Sequence, residues 1–293
     1  MQPDFLIIGA EKAGTTWLHD VLGAHPALFL PDVKEIHYFN RFDSNGNEID
    51  NFTKRGQQWY QTHFAKAAEY QITGEATPMY LCDPEAPARI YDTLPDARFI
   101  VTLREPVSRA WSHYRMARAK AHIDRDLDEL IANRDANVLG RGLYAVQLQR
   151  WFEFFSRDRF LILFFEDIIA DPAPSLRRIA SWLGVDADPL LSAEPEKARN
   201  AATGYRSAGF YNFSVKAARA MRNTPLTRGL ASQMKAVGIY DMVKKANRTS
   251  SENLTLSDDQ RNALAQFYRR DRKALQKLIG QEQLPWVETD AAK

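Results

Sequence analysis

The chain has 293 residues, enough for one large α/β domain or two small ones, and its 45% apolar and 11% aromatic content is ordinary for a globular protein with a sizeable core. Lys and Arg number 39 against 37 Asp and Glu, so the net charge of +2 gives no global field that points to nucleic acid. The single cysteine, Cys82, excludes an internal disulfide and reads as a small, semi-buried hydrophobe in a reducing compartment.

In chain order, the first element is an apolar run, Phe5–Ala10, expected to be a buried strand. It is too short for a signal sequence or a membrane span, and the later run Phe160–Phe165 is also only strand-sized, so a cytoplasmic protein with no integral membrane segment is expected. A glycine-bounded loop, Gly9 to Gly14, leads into a helix expected over Thr16–Leu22. Strand, tight loop and helix N-terminus together form a phosphate cradle, in which free N–H groups face an anion. A nucleotide triphosphatase loop reads G-x-x-x-x-G-K-[ST]; here Thr15 stands where that lysine belongs, and the loop's own lysine is Lys12. The N–H groups of Gly14, Thr15 and Thr16 are expected to meet one phosphate, with Lys12 beside a bridging or transferred group.

Next comes Lys34-Glu35-Ile36-His37-Tyr38-Phe39, which places an acid and an imidazole two apart, on one side of an extended segment. Its apolar neighbours suggest a carboxylate of raised pKa, as a general base near neutral pH would use. Residues 40–70 are polar and read as a loop-rich insertion. Strand Gln71–Glu75 comes after them, with Glu75 and Thr77 expected to face a cleft or line its floor, or Glu75 to be the structural partner of a basic residue, and helix Pro84–Thr93 is next. Strand Arg98–Leu103 delivers Arg104 to its C-terminal end, where ligands collect in open α/β sheets. The helix expected over Pro106–Lys120 carries Ser108, Arg109 and Ser112; an arginine fork and a hydroxyl there suit a second phosphate, whereas a salt bridge is the plain alternative for Arg109. Helix Leu143–Phe155, strand Phe160–Phe165 and helix Pro174–Leu183, closed by Gly184, complete an alternating pattern. That pattern predicts a three-layer α/β fold with a central parallel sheet flanked by helices. Residues 200–256 are basic and read as a helical insertion or lid, and Ser257–Gln260 reads as a capping box that opens a long C-terminal helix.

Taken together, these segments resemble the PAPS-dependent sulfotransferases (PAPS is 3′-phosphoadenosine 5′-phosphosulfate). Lys12-Ala13-Gly14-Thr15-Thr16-Trp17 resembles the family's 5′-phosphosulfate loop, and Arg104-Glu-Pro-Val-Ser-Arg-Ala-Trp-Ser112 resembles its 3′-phosphate motif. Lys34–Phe39 is similar to a segment of the heparan-sulfate and related carbohydrate branch, and Phe165-Glu166-Asp167-Ile168 to a stretch late in the core. The resemblance covers roughly residues 4–185 with the motifs in family order. It implies a P-loop-NTPase-like fold in one domain over 1–293, PAPS as co-substrate with PAP (the desulfated nucleotide) as product, and no metal. It implies Lys12 on the leaving oxygen and sulfuryl group, with Ala13, Gly14, Thr15, Thr16 and Trp17 around the 5′-phosphate and Arg104, Ser112 and Arg206 around the 3′-phosphate. It further implies Glu35 as base and His37 as its helper. The expected acceptor is a hydroxyl, with an amine as second choice, on a glycan or small molecule, and no nucleic-acid partner is expected. Ala76 stands where some glycan enzymes carry a lysine, and the residues leave the oligomeric state open. Two rival classes remain open on the residues: a P-loop kinase or NTPase, which needs a lysine after Gly14 and a carboxylate for Mg²⁺, and a non-catalytic nucleotide- or glycan-binding module.

Overall fold

The computed structural model describes residues 1–120, 122–193 and 254–286. Its strands are β1 (Phe5–Gly9), β2 (Leu28–Phe29), β3 (Ile72–Ala76), β4 (Arg98–Leu103) and β5 (Phe160–Phe164), all parallel and ordered β2-β3-β1-β4-β5. The helices are α1 (Thr15–Leu22), α2 (Asn51–Thr62), α3 (Ala86–Thr93), α4 (Pro106–Ala119), α5 (Leu127–Ala132), α6 (Tyr144–Phe152), α7 (Phe165–Ala170), α8 (Pro172–Leu183), α9 (Asp188–Ser192) and α10 (Asp258–Ile279).

Every residue of β1 is buried, and its side chains alternate between two cores. Leu6 and Ile8 join Phe99, Val101, Trp151 and Leu275 on one face, under α3, α6 and α10. Phe5 and Ile7 join Leu18, Val21, Ile100, Leu176 and Ile179 on the other, under α1 and α8. The sheet is thus sandwiched between helical layers, as the alternating pattern predicts. A third cluster joins Tyr114 of α4 and Leu130 of α5 to Leu264 and Tyr268 of α10. The Ser257–Gln260 capping box is formed in both directions, and Gly184 and Gly280 close α8 and α10 in the left-handed conformation.

Several boundaries differ from the sequence reading, each for a local reason. Phe165 opens α7 instead of ending β5. Helix α3 begins at Ala86 because the Asp83 carboxylate accepts from the N–H groups of Glu85 and Ala86 and folds Pro84 into a turn. Helix α6 stops at Phe152, although Phe155 still packs into the core beyond it. The insertion over 40–70 holds a helix, α2, broken at Gly56 (φ 74°); Tyr60 is its one buried residue, so it shows no apolar stripe to read. Residues 194–253 lie outside the described residues, and with them nearly all of the expected basic insertion; Leu254 and Leu256 pack against the third cluster.

From β1 the chain runs to the edge strand β2, comes back inward as β3 beside β1, then crosses to place β4 and β5 on the other side. Such a reversal opens a crevice at the C-terminal ends of the central strands. Among the described residues no helix is long and apolar enough to cross a membrane.

Candidate active site

The crevice is bordered by the segments that leave the C-terminal ends of β1, β2 and β4. After β1, the loop is pinned at both sides: Ala10 donates to the Thr102 carbonyl at 2.7 Å, and Leu81 donates to the Ile8 carbonyl at 2.8 Å. Gly9 is needed for space, since a Cβ there would lie 2.6 Å from that of Leu81. Gly14 is the N-cap of α1, with φ 84° and no side-chain cap, so the first-turn N–H groups of Thr15, Thr16 and Trp17 open onto the loop. A Cβ on Gly14 would meet the Phe165 ring at 2.9 Å. The loop is therefore a close-fitting concavity ending on a helix N-terminus, which suits an anion.

Lys12 occupies the bend of this loop at φ 71°. Its Nζ lies 3.4 Å from Met116 Sδ on α4, and Ser112 sits one helical turn earlier on that same face. Burial lowers the Lys12 ammonium to about 8; Lys120 and Arg104 add to the fall, and Glu11 and Glu35 oppose it. Arg104, just past the end of β4, donates from Nη1 to the Lys12 carbonyl at 3.1 Å and stacks over Phe165 at 4.8 Å. Its own carbonyl accepts from Tyr144 Oη at 2.9 Å.

Glu35 and His37 come from the segment docked on the end of β3, where Glu35 N donates to the Ala76 carbonyl at 2.9 Å. The segment is not extended as the sequence suggests: Glu35 (φ 65°) and His37 (φ 55°) are both left-handed, and the turn itself brings His37 Nε2 to 3.6 Å from Glu35 Oε2. The expected raised pKa is corrected here. Burial pushes the Glu35 carboxyl up, but Lys34, with Nζ at 2.5 Å, and His37 outweigh it and hold the group far below the usual carboxylate range. Glu35 is thus ionised throughout the neutral range. Asn40 lies against the other ring nitrogen, His37 Nδ1, and Asn51 Nδ2 donates to the His37 carbonyl at 3.1 Å.

Lys12, Glu35 and Arg104 thus come from three strand ends into one charged cleft. The family model described as "Sulfotransferase family" matches residues 3–189. The chain belongs to the sulfotransferase family. Mouse heparan sulfate glucosamine 3-O-sulfotransferase 3A1 is 34% identical to it over 191 residues, which is 62% of this chain and 46% of that relative. The chain thus spans about half the length of the curated relatives it matches. The membrane-associated sulfotransferase kil1 of Dictyostelium discoideum is 38% identical over 115 residues, 38% of this chain and 22% of that relative. Among solved structures, a sulfotransferase from Alicyclobacillus acidocaldarius superposes with a TM-score of 0.68 at 25% identity, covering 97% of this chain and 98% of its own. The fold is accordingly the P-loop-like α/β fold of the sulfotransferases.

Several other residues singled out in this sulfotransferase-family chain keep their side chains out of the cleft. Ala13, Thr15 and Trp17 are buried, and Trp17 packs in the core beneath α1, so only its N–H faces the loop. Arg109 is fully buried and donates to the Val138 carbonyl, so it is a structural arginine and not a phosphate fork. Glu75 is also buried, and its partners are the hydroxyls of Tyr60, Thr77 and Tyr80, not a basic residue. Arg206 lies outside the described residues. Among the described residues there is no cluster of His, Cys, Asp or Glu able to hold a metal.

The sequence reading missed the support behind the loop. Glu11, next to Lys12, takes a 2.5 Å ion pair from Arg141, and His113 Nδ1 stands 3.4 Å away. Arg141 also donates to the Ser44 carbonyl at 3.0 Å, tying the loop to the 40–50 segment. Only the adjacency of Glu11 to Lys12 hints at this in the sequence; Arg141 is remote in the chain. Against burial, which pushes the Glu11 carboxyl up, His113 and Arg141 hold it below the usual range. Arg141 is buried and Glu11 mostly so, and Arg141→Met is expected to destabilise the fold by up to about 3–5 kcal/mol by stranding a carboxylate. Because the folded Glu11 pKa is depressed, that stabilisation is present above its unfolded pKa and fades as pH falls toward the folded one. Urea unfolding of both proteins, at neutral and acid pH, measures the gap and its closure.

Proposed function

We propose that the protein transfers a sulfuryl group from PAPS to a hydroxyl of a glycan or small-molecule acceptor, leaving PAP and a sulfate ester. The observation that carries this reading is the meeting of Lys12 and Glu35: a loop cation and an ionised carboxylate, within range of each other's charge, at the mouth of an uncapped helix N-terminus. The loop fits a 5′-phosphosulfate, because Gly14 leaves room for close approach and the N–H groups of Thr15 and Thr16 face the opening. Arg104, fixed against Lys12, and Ser112, on the helix face that touches Lys12, suit a 3′-phosphate; Arg206 is proposed to join them. The donor supplies an activated sulfuryl group on a good leaving phosphate.

The chain's own residues then supply positioning, charge and one proton acceptor. Lys12 holds positive charge where negative charge grows on the leaving oxygen. Glu35 takes the acceptor proton, and His37, beside Oε2, steadies the carboxylate and can share the load. The base is already ionised, so its weakness as an acceptor is offset by placement more than by basicity. The glycan reading of the acceptor is supported by the Lys34–Phe39 segment and by the heparan sulfate relative's name. We further propose that residues 1–293 form one domain and act in the cytoplasm, supported for the latter by a single cysteine that excludes an internal disulfide.

The test is transfer from sulfur-labelled PAPS to a panel of heparan sulfate, a phenol and an aliphatic alcohol. Labelled ester on one of them, lost in Lys12 and Glu35 variants, is the expected result. Magnesium-dependent ATP hydrolysis with no sulfation would favour the kinase reading instead. The pH profile gives a second check. With Lys12 titrating at about 8 in the free protein, kcat/KM is expected to fall as pH rises through that value. A bound polyanion raises the lysine's pKa, so the falling limb of kcat is expected at higher pH than that of kcat/KM. Coincident limbs would remove Lys12 from that role.

A further inference from the structure

The turn that carries Glu35 and His37 is left-handed at both residues. Its backbone is gripped from below. Tyr80 Oη accepts from Tyr38 N at 3.0 Å and from Phe39 N at 3.5 Å. Its hydrogen must then point elsewhere, and it goes to Glu75 Oε1 at 2.6 Å. Thr77 Oγ1 donates to that same carboxylate oxygen at 2.7 Å, and Tyr60 Oη donates to the other. Tyr60 in turn stacks on Tyr38, with ring centroids 4.5 Å apart and planes 10° apart. Glu75, Tyr60, Tyr80 and Thr77 are all buried, and no step of the proposed chemistry uses them.

We propose that Glu75 and Tyr80 are positioning residues for the reaction: the Glu75 carboxylate orients the Tyr80 hydroxyl, and Tyr80 clamps the Tyr38 and Phe39 amides so that Glu35 stays aimed at the acceptor. The inference rests on the sulfuryl-transfer reading with Glu35 as base. Because Tyr80 Oη accepts from two amides, its one hydrogen goes to Glu75, which therefore accepts at Oε1. Burial raises its carboxyl above the usual range, and the hydroxyls of Thr77, Tyr60 and Tyr80 offset only part of that by favouring the ionised form. Burial also raises Tyr60 and Tyr80, so both remain neutral donors. Glutamine at 75 can still accept from Thr77 and Tyr80 through its carbonyl, but it turns an N–H₂ group on Tyr60; leucine accepts nothing.

The test uses Tyr80→Phe, Glu75→Gln and Glu75→Leu in the full chain, with PAPS and whichever panel acceptor is sulfated, and PAP binding by calorimetry. Tyr80→Phe is expected to lower kcat about 10- to 100-fold, the scale of a reacting group shifted by about an ångström. PAP affinity and the KM for PAPS are expected to stay unchanged, because the phosphosulfate loop is untouched. Glu75→Gln is expected to retain more turnover than Glu75→Leu. In a Glu35→Gln background, Tyr80→Phe is expected to cost much less than it does alone, since both act through one group. An unchanged kcat, a parallel fall in PAP affinity, or equal losses in both backgrounds would overturn the proposal. Should the variants fail to fold, hydrogen exchange in the native protein decides: a protected Tyr38 amide is expected, and a freely exchanging one overturns the clamp. If instead Glu35→Gln keeps full turnover, or no acceptor is sulfated, the reading of function fails first and the inference with it.

Discussion

Replacing Lys12 with Ala is expected to lower kcat by about 10²–10³-fold while the protein remains folded. The ammonium is the one loop group that can meet charge building on the leaving oxygen; the helix N-terminal N–H groups remain in the variant and still hold an anion. PAP should therefore bind to Lys12→Ala with only modest loss, and the defect should sit in kcat. Arg104 loses nothing in this variant, because it bonds to the main-chain carbonyl of residue 12 and not to its side chain. Stopped-time sulfation assays with PAP calorimetry separate the two effects. Turnover equal to the parent protein would show that Lys12 only shapes the loop.

Glu35→Ala is expected to remove about 10²–10⁴-fold of rate, the range of a lost general base. It also releases Lys34 and His37, which converge on that carboxylate at 2.5 and 3.6 Å. PAP affinity is expected to stay near that of the parent, because the carboxylate opposes a bound anion and removing it costs the donor nothing. Because the carboxyl is held low by its neighbours, the limb of the rate profile belonging to this base lies far on the acid side, and neutral-pH turnover reports the ionised form alone. Sulfation persisting in Glu35→Ala would transfer the base role elsewhere in the cleft.

Much of the fold was legible because the physics is local. The apolar runs of β1, β4 and β5 are buried on both faces and read as strands without help from tertiary context. The cradle at Gly9–Thr16 was readable from its glycines, and both prove to be sites of close approach, one to Leu81 and one to Phe165. What could not be read depends on partners distant in sequence. The electrostatics of Glu35 are set by a lysine and a histidine folded onto it by left-handed backbone, which an extended reading of the segment cannot foresee. Glu75, at a strand end, read equally as a cleft residue or as the partner of a basic residue; the chain brings Tyr60 from α2 over it, and its partners are hydroxyls. Arg141 and Glu11 lie at opposite ends of the catalytic half of the chain and meet only in the fold.

The left-handed backbone at Lys12, Glu35 and His37 has a consequence for how such a chain can change. Each of these non-glycine residues adopts a conformation that disfavours it by roughly 1–2 kcal/mol, and Gly or Asn would relieve most of that strain. Selection for heat resistance alone would therefore drift these positions toward small, flexible residues and erase the charged cleft. Asp50 and Arg134 share that backbone outside the proposed chemistry, so strain can be relieved there without touching the cleft, whereas at Lys12, Glu35 and His37 any stability gained comes at the cost of the charged groups.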